Sequence, residues 1–418
     1  MLNRQLNDFF VKQKRNSPIR KILITIFILF LFRFETTIPL TAIDQEALRR
    51  SLFQLENKNA LLQILNLFVG SEKTTLLNPF TLGIIPYINS SILIDLLTTS
   101  FPFFEKIKSE EGEAGKRKLL LYKKIGTFIF ALVQSIFILV YLKSYFYITT
   151  LFSYSLFVSQ LVCGSLFVVW LTTLIDKSGI GNGTSLIIFS NIISSLLNKK
   201  LVENFEWTFL SLLELCVLFG FVFLICLSQS AKINIEVVSA RQLSFLKNNT
   251  KTKLIQEPGL EFENKEVGLL LRLNQAGIFP LIIASNLLPF LSSVMNNVFE
   301  SIPFLKNGIY YFLIITFNYF YTIIFWDPEK ISEQLRKTSV SLVNIRPGKE
   351  TLAYLEKLVF LTSLLGGIFL CGLLISYDFI KDFIHGSILS QINISSLIIF
   401  VGISYELQKT IRALYKNK

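Results

Sequence analysis

The sequence predicts an all-α membrane protein with ten transmembrane helices in two inverted five-helix halves. Apolar residues make up 52% of the 418 residues, the mean hydropathy is +0.54, and only 17% of the residues are charged. A helix that crosses a bilayer needs about 20 consecutive apolar residues, and the chain contains many such runs. A sequence pattern that occurs in the second run and again in the seventh indicates the two halves.

Ten apolar runs are candidate spans, although the fifth and tenth are shorter than a full crossing requires. They cover residues 21–40, 79–99, 122–141, 152–174, 184–197, 209–227, 271–291, 309–326, 358–376 and 392–405. With the N-terminus inside, the inner segments carry 29 Lys and Arg residues and the outer loops carry 9. This asymmetry follows the positive-inside rule and predicts that both termini lie on the inner side.

The repeated pattern is nine residues long. Residues 83–91 (GIIPYINSS) match residues 277–285 (GIFPLIIAS), 194 positions later, at five places that include the glycine and the proline. Proline breaks the hydrogen-bond ladder of a membrane helix, so we expect two broken helices that line the path through the protein. Because five spans separate the copies, they cross in opposite directions, which predicts halves 1–200 and 201–418. Chance similarity between isoleucine-rich segments is the alternative.

Two inner loops, residues 231–270 and 327–354, exceed the usual 2–8 residues of a helix connection and are rich in Lys and Arg. They suit docking of an acidic partner such as rRNA or an acidic protein face. Solvated tethers that enforce the topology are the alternative. Residues 70–74 (GSEKT) and 115–117 (GKR) lack the pattern of a phosphate loop, and we find no metal-ligand spacing. We therefore expect no enzyme activity, no cofactor and no metal.

Five motifs resemble, in order, those of the SecY-type protein-conducting channel family. They are residues 82–88 (LGIIPYI), 112–118 (GEAGKRK), 179–183 (GIGNG), 274–277 (NQAG) and 345–351 (IRPGKET). The resemblance runs from about residue 19 to residue 412. It implies two five-helix halves around a central pore, which conducts unfolded secretory chains and releases transmembrane segments sideways through a lateral gate.

The resemblance assigns a hydrophobic pore ring to five isoleucines. They are Ile88, Ile188, Ile192, Ile282 and Ile399. A constriction of branched aliphatic side chains excludes water and ions at rest, yet it deforms around a passing chain without binding it. The alternative is that these isoleucines only pack against neighbouring helices.

Residues 60–73 match the family's plug, a short helix that closes the pore from outside. An amphipathic segment on the membrane surface is the alternative. Asn89, Gln134 and Asn274 match the polar cluster of the lateral gate, where mutual hydrogen bonds of about 1 kcal/mol each would hold the gate shut weakly. Ordinary polar contacts between helices are the alternative. Asp95 departs from the family pattern, and its place near the inner end of span 2 predicts hydration.

Docking and partners follow from the same resemblance. Arg346 matches the arginine that engages the ribosome or a motor, and Lys247, Lys251 and Lys253 would extend this surface. The implied partners are a SecE-type small membrane subunit, with an optional SecG-type subunit, together with a SecA-type motor ATPase and/or the ribosome. Unfolded precursor proteins and membrane lipid complete the set.

A secondary transporter with an inverted-repeat fold is the alternative function. It would need ionisable or carbonyl groups at mid-membrane, whereas the proposed ring is aliphatic. Arg33 and Glu214 are the main interior charges, and the sequence shows no evident partner for either. Composition and length resemble plastid-encoded family members, which predicts a multi-pass thylakoid protein with stromal termini. A bacterial plasma membrane with cytoplasmic termini is the alternative.

Overall fold

A computed structural model shows an all-α membrane protein with one small β-sheet. The described residues are 18–35, 38–47, 77–109, 112–196, 209–239, 268–272, 276–294, 303–343, 345–384 and 393–416. The plug segment, residues 60–73, and Asn274, Lys247, Lys251 and Lys253 lie outside these ranges.

Helices account for most of the described chain. They are α1 (Pro18–Glu35), α2 (Ile85–Ser100), α3 (Pro102–Ser109), α4 (Gly112–Leu142), α5 (Leu151–Ser178), α6 (Gly183–Leu196), α7 (Phe209–Ser230), α8 (Phe279–Val294), α9 (Pro303–Phe325), α10 (Pro328–Lys337), α11 (Lys349–Ile384) and α12 (Ile394–Lys416). All except α3 and α10 lie at the predicted spans. In the described part, five helical stretches, which overlap α4, α5, α7, α9 and α11, are long and apolar enough to cross a membrane. The count of ten crossings therefore stays a prediction.

Side-chain caps explain where some helices begin. Thr150 and Ser153 form a capping box at the start of α5, in which each side chain accepts a hydrogen bond from the other residue's backbone N–H. At the start of α10, the Asp327 carboxylate accepts the Lys330 N–H at 3.3 Å, and Pro328 supplies the fixed φ of a first helical position. Both helix starts are therefore specified by local sequence.

A three-stranded antiparallel sheet occupies parts of the two predicted inner loops. Its strands β1 (Lys232–Ser239), β2 (Gly268–Arg272) and β3 (Val340–Leu342) lie in the order β2-β1-β3. Lys232 pairs with Arg272, and Val237 pairs with Leu342. The prediction that span 7 begins at residue 271 is wrong, because that residue belongs to β2 and α8 begins at Phe279.

The chain divides into two compact units, each with its own buried cluster. Unit 1 comprises Met1–Leu215, Ser285–Lys306 and His385–Lys418, and unit 2 comprises Cys216–Ala284 and Asn307–Ile384. In unit 1, α2 packs along α4, α4 against α5, and α6 against α12. In unit 2, the sheet packs on the start of α11 through Ile235, Leu271, Leu342 and Leu355. The halves 1–200 and 201–418 describe internal symmetry and stay a prediction.

Many large apolar side chains point outward from the helices. On α1, Phe27, Phe30 and Phe34 are more than half exposed, whereas Phe32 on the opposite side is buried. Such surfaces are unfavourable in water but suit lipid, which is as apolar as a protein core. The exposed faces therefore agree with helices embedded in a membrane.

Candidate functional site

Both copies of the repeated pattern adopt the same local conformation. Gly83 has φ +52° and Gly277 has φ +65°, values in the left-handed region that glycine adopts readily. A turn follows in each copy, and a helix begins two residues after the glycine. In the first copy the Ile88 N–H donates to the Ile84 oxygen at 3.1 Å, and the equivalent bond in the second copy is 3.2 Å. The match therefore extends from sequence to backbone structure.

The prolines of the two copies start helices rather than interrupt them. Pro86 is the second residue of α2 and Pro280 is the second residue of α8. The missing N–H costs nothing there, because the first N–H groups of a helix have no intrahelical acceptor. The predicted break at the proline is therefore wrong in position. It lies before each helix, so predicted span 79–99 is helical only from residue 85.

The non-helical start of span 2 is buried and internally hydrogen-bonded. The Asn78 N–H donates to the Thr81 hydroxyl at 3.0 Å, and that hydroxyl donates to the Asn78 carbonyl at 2.6 Å. Gly164 of α5 lets this turn approach closely, since a Cβ there would lie 2.0 Å from the Pro79 carbonyl oxygen. Irregular backbone is tolerated at membrane depth where protein buries it. The packing of α5 provides that burial.

The five proposed pore isoleucines lie on four helices. They are Ile88 on α2, Ile188 and Ile192 on α6, Ile282 on α8 and Ile399 on α12. All are buried except the half-buried Ile188, as in a closed constriction and also in ordinary packing. Phe189 stacks on Phe400 with ring centroids 5.0 Å apart and planes 7° apart, which fixes α6 against α12 beside two of these isoleucines. A ring of all five stays a prediction.

Polar contacts join α1 to α6 and to the connection between α5 and α6. The Arg33 guanidinium donates to the backbone oxygen of Ser190, which lies between two of the proposed pore residues. Nearer the start of α1, the Thr25 hydroxyl accepts the Ile180 N–H at 3.0 Å. Arg33 therefore has a main-chain partner that the sequence did not make evident. Glu214 on α7 is buried and is not without a partner either.

The gate amides are only partly described. Gln134 on α4 is 2% exposed, and within the described residues its Oε1 atom has no hydrogen-bond partner. Asn89 on α2 is half-buried. Because Asn274 lies outside the described ranges, the predicted cluster of three amides stays a prediction.

Asp95 forms an ion pair that the sequence analysis missed. The Lys123 ammonium of α4 lies 2.9 Å from one Asp95 oxygen and 3.0 Å from the other. The Ser91 hydroxyl donates to the same carboxylate at 3.3 Å, and the Ser90 hydroxyl donates to the Lys123 carbonyl at 2.7 Å. A third of the Asp95 side chain remains exposed. These contacts tie α2 to α4.

The loop between spans 8 and 9 is folded and much of its charge is paired. On α10, Lys330 pairs with Asp327 and Lys337 pairs with Glu333, each at 2.9 Å. The hydrogen bond and positive charge of Lys337 lower the pKa of the Glu333 carboxyl. Arg346 is exposed in the short connection between β3 and α11. The structure therefore presents this arginine on an ordered scaffold rather than on an extended basic tether.

Known proteins resemble this chain over nearly its full length. The SecY family profile matches residues 79–408. The chain is 34% identical to "Protein translocase subunit SecY" of Vaucheria litorea, over 99% of this chain and 98% of that protein. It is 32% identical to the protein of the same description from Guillardia theta, over 95% of each. The chain is 31% identical to the protein of the same description from Synechocystis sp., over 97% of this chain and 94% of that protein.

Solved structures share the fold at low sequence identity. One described as "The structure of a protein conducting channel" superposes with a TM-score of 0.62 at 14% identity, over 96% of this chain and 93% of that chain. Another, "Sec61 in the Canine ribosome-channel complex from the endoplasmic reticulum", has a TM-score of 0.56 at 14% identity, with the same coverage of each chain. The predicted resemblance is confirmed: by motifs, profile, relatives and fold, this chain belongs to the SecY family.

Proposed function

We propose that this chain is the central channel subunit of a protein translocase. Unfolded secretory chains would cross the membrane through it, and transmembrane segments would leave sideways through a lateral gate. The observation that carries the proposal is the shared structure of the two repeat copies, a left-handed glycine followed by a helix with proline at its second position. Matched breaks in two membrane segments mark the helices that line a transport path.

The chemistry of the proposed constriction favours a polypeptide over a small solute. Its five side chains, Ile88, Ile188, Ile192, Ile282 and Ile399, are aliphatic and offer no ligand to an ion. A secondary transporter places ionisable groups or free carbonyls at its binding site. Here Arg33 bonds the Ser190 carbonyl and Asp95 pairs with Lys123. No specific observation therefore favours the transporter.

Asn89, Gln134 and Asn274 act in this proposal as the polar contacts of the closed gate. An arriving signal segment would displace them, because each such bond is worth only about 1 kcal/mol in a membrane. Arg346 is the docking residue of the inner face, and Lys247, Lys251 and Lys253 extend its surface. Residues 60–73 are the proposed plug, on the resemblance of this segment to the family's plug.

The proposed partners are a SecE-type small subunit, an optional SecG-type subunit, and a SecA-type motor ATPase and/or the ribosome. Plastid-encoded and cyanobacterial relatives support a membrane of thylakoid or plasma-membrane type. Between these, we propose the plastid thylakoid, with both termini on the stromal side as the Lys and Arg asymmetry indicates.

Reconstitution tests the function. The full chain and a SecE-type subunit are placed in proteoliposomes, and a SecA-type motor, ATP and a radiolabelled precursor are added. The expected result is precursor that becomes protease-protected only with ATP and only when it carries a signal sequence. Vesicles that contain the folded complex and a bound motor, but protect no precursor, would contradict the proposal. If the vesicles instead take up a small solute driven by an ion gradient, the protein is a secondary transporter and not a translocase.

A further inference from the structure

Arg346 is carried by a connection whose backbone is constrained on both sides. Before it, Ile345 packs against the buried cluster of unit 2, and its N–H donates to the Leu342 carbonyl at 3.4 Å. After it, Pro347 has the fixed φ of proline, and Gly348 adopts φ +113°, which requires glycine. The arginine side chain is exposed, so only its main chain is held.

Two side chains bond this connection: the Ser332 hydroxyl of α10 donates to the Gly348 carbonyl oxygen at 3.5 Å, and Thr351 bonds the peptide of Arg346 itself. Thr351, the third residue of α11, is 3% exposed, and its hydroxyl donates to the Arg346 carbonyl oxygen at 2.8 Å. A polar side chain at this helix position more often bonds the N-cap N–H in a capping box, whereas here it reaches a carbonyl two residues before the cap. Threonine is stiff about χ1, so the bond fixes the peptide that follows the arginine.

We infer that Thr351 is a positioning residue for Arg346. By holding the carbonyl of Arg346, it fixes the direction in which the exposed guanidinium leaves the inner face toward a polyanionic partner. The inference rests on the proposed function, in which Arg346 engages the ribosome. A pre-ordered arginine does not lose backbone freedom when it binds, and this raises affinity without any new contact.

Two substitutions and a matched control isolate the hydroxyl. Thr351→Val removes it at nearly constant shape, and Thr351→Ser restores it. The control is Thr362→Val on the same helix, where an equally buried hydroxyl donates only to the Leu358 and Val359 carbonyls of that helix. The measurements are binding of purified 70S ribosomes to proteoliposomes that contain the full chain, and the apparent Tm of each variant.

We expect Thr351→Val to raise the Kd for ribosomes by about three- to tenfold, the range that ordering a short segment accounts for. Thr351→Ser and Thr362→Val should stay within about twofold of wild type. A double-mutant cycle with Arg346→Gln then separates positioning from general stability. If Thr351 acts through the arginine, Thr351→Val has no further effect once Arg346 is glutamine.

Equal weakening by Thr351→Val in both backgrounds would overturn the inference, because the hydroxyl would then act on the fold alone. An unchanged Kd for Thr351→Val, with Arg346→Gln clearly weakened, would overturn it and leave the docking proposal standing. Wild-type binding by Arg346→Gln would remove the docking role of Arg346 and this inference with it.

Discussion

Replacing Gly164 by alanine tests whether α5 buries the non-helical start of span 2. The new Cβ would lie 2.0 Å from the Pro79 carbonyl oxygen, whereas ordinary contact begins at 3.4 Å, so the two backbones would have to part by about 1.4 Å. Overpacking of this kind costs up to about 3 kcal/mol, and alanine recovers about 1 kcal/mol of helix propensity. The expected net loss of stability is about 2 kcal/mol.

The assay is unfolding of the purified full chain in detergent, read as the shift of the apparent Tm. Gly220→Ala is the matched control, because Gly220 lies exposed within α7 and a Cβ there would meet nothing within 4 Å. We expect the control to be neutral or slightly stabilising. Gly164→Ala as stable as Gly220→Ala would refute the close packing of Pro79 on α5.

Two further substitutions test other contacts. Asp95→Asn leaves the Lys123 ammonium without its carboxylate and should destabilise the chain by about 1 kcal/mol, discounted because the pair is partly exposed. In denaturant unfolding, the double variant Asp95→Asn/Lys123→Gln should lose less stability than the sum of the losses of the two single variants. Losses that add up would contradict the ion pair. Gly277→Ala places a Cβ at φ +65° and should cost about 1 kcal/mol by the same assay, whereas Gly308→Ala should cost nothing. Equal losses from the two glycines would argue against the left-handed turn.

Hydropathy and the repeat predicted much of the fold because both are local properties of the chain. A helix lies at each apolar run, and the paired glycines 83 and 277 share one conformation. The helix breaks were predicted at the wrong position because a proline in the sequence indicates that a helix is perturbed. The sequence does not show whether the proline interrupts the helix or begins it. Only the hydrogen bonds made by Ile84 and Ile278 decide that Pro86 and Pro280 begin helices.

The contacts that sequence reasoning missed join distant residues or involve the backbone. Lys123 is 28 positions from Asp95, and helical spacing within one element cannot reveal such a pair. The partner of Arg33 is a main-chain carbonyl, which an inventory of charged side chains does not include. The alternation of apolar and polar residues in residues 232–237 (KINIEV) is a strand signal that the surrounding charged residues hid.

Cross-linking from within the proposed pore tests whether an unfolded chain passes through this protein. In a chain whose four native cysteines are replaced, a single cysteine is placed at Ile88 or Ile282, and a secretory precursor with one cysteine is stalled midway through transit. A matched cysteine at Phe219, whose side chain is exposed on α7, controls for proximity alone. We expect disulfides from Ile88 and Ile282 to the stalled precursor and none from Phe219. No cross-link from either isoleucine, with the precursor demonstrably engaged at the membrane, would contradict a protein-conducting channel at this site.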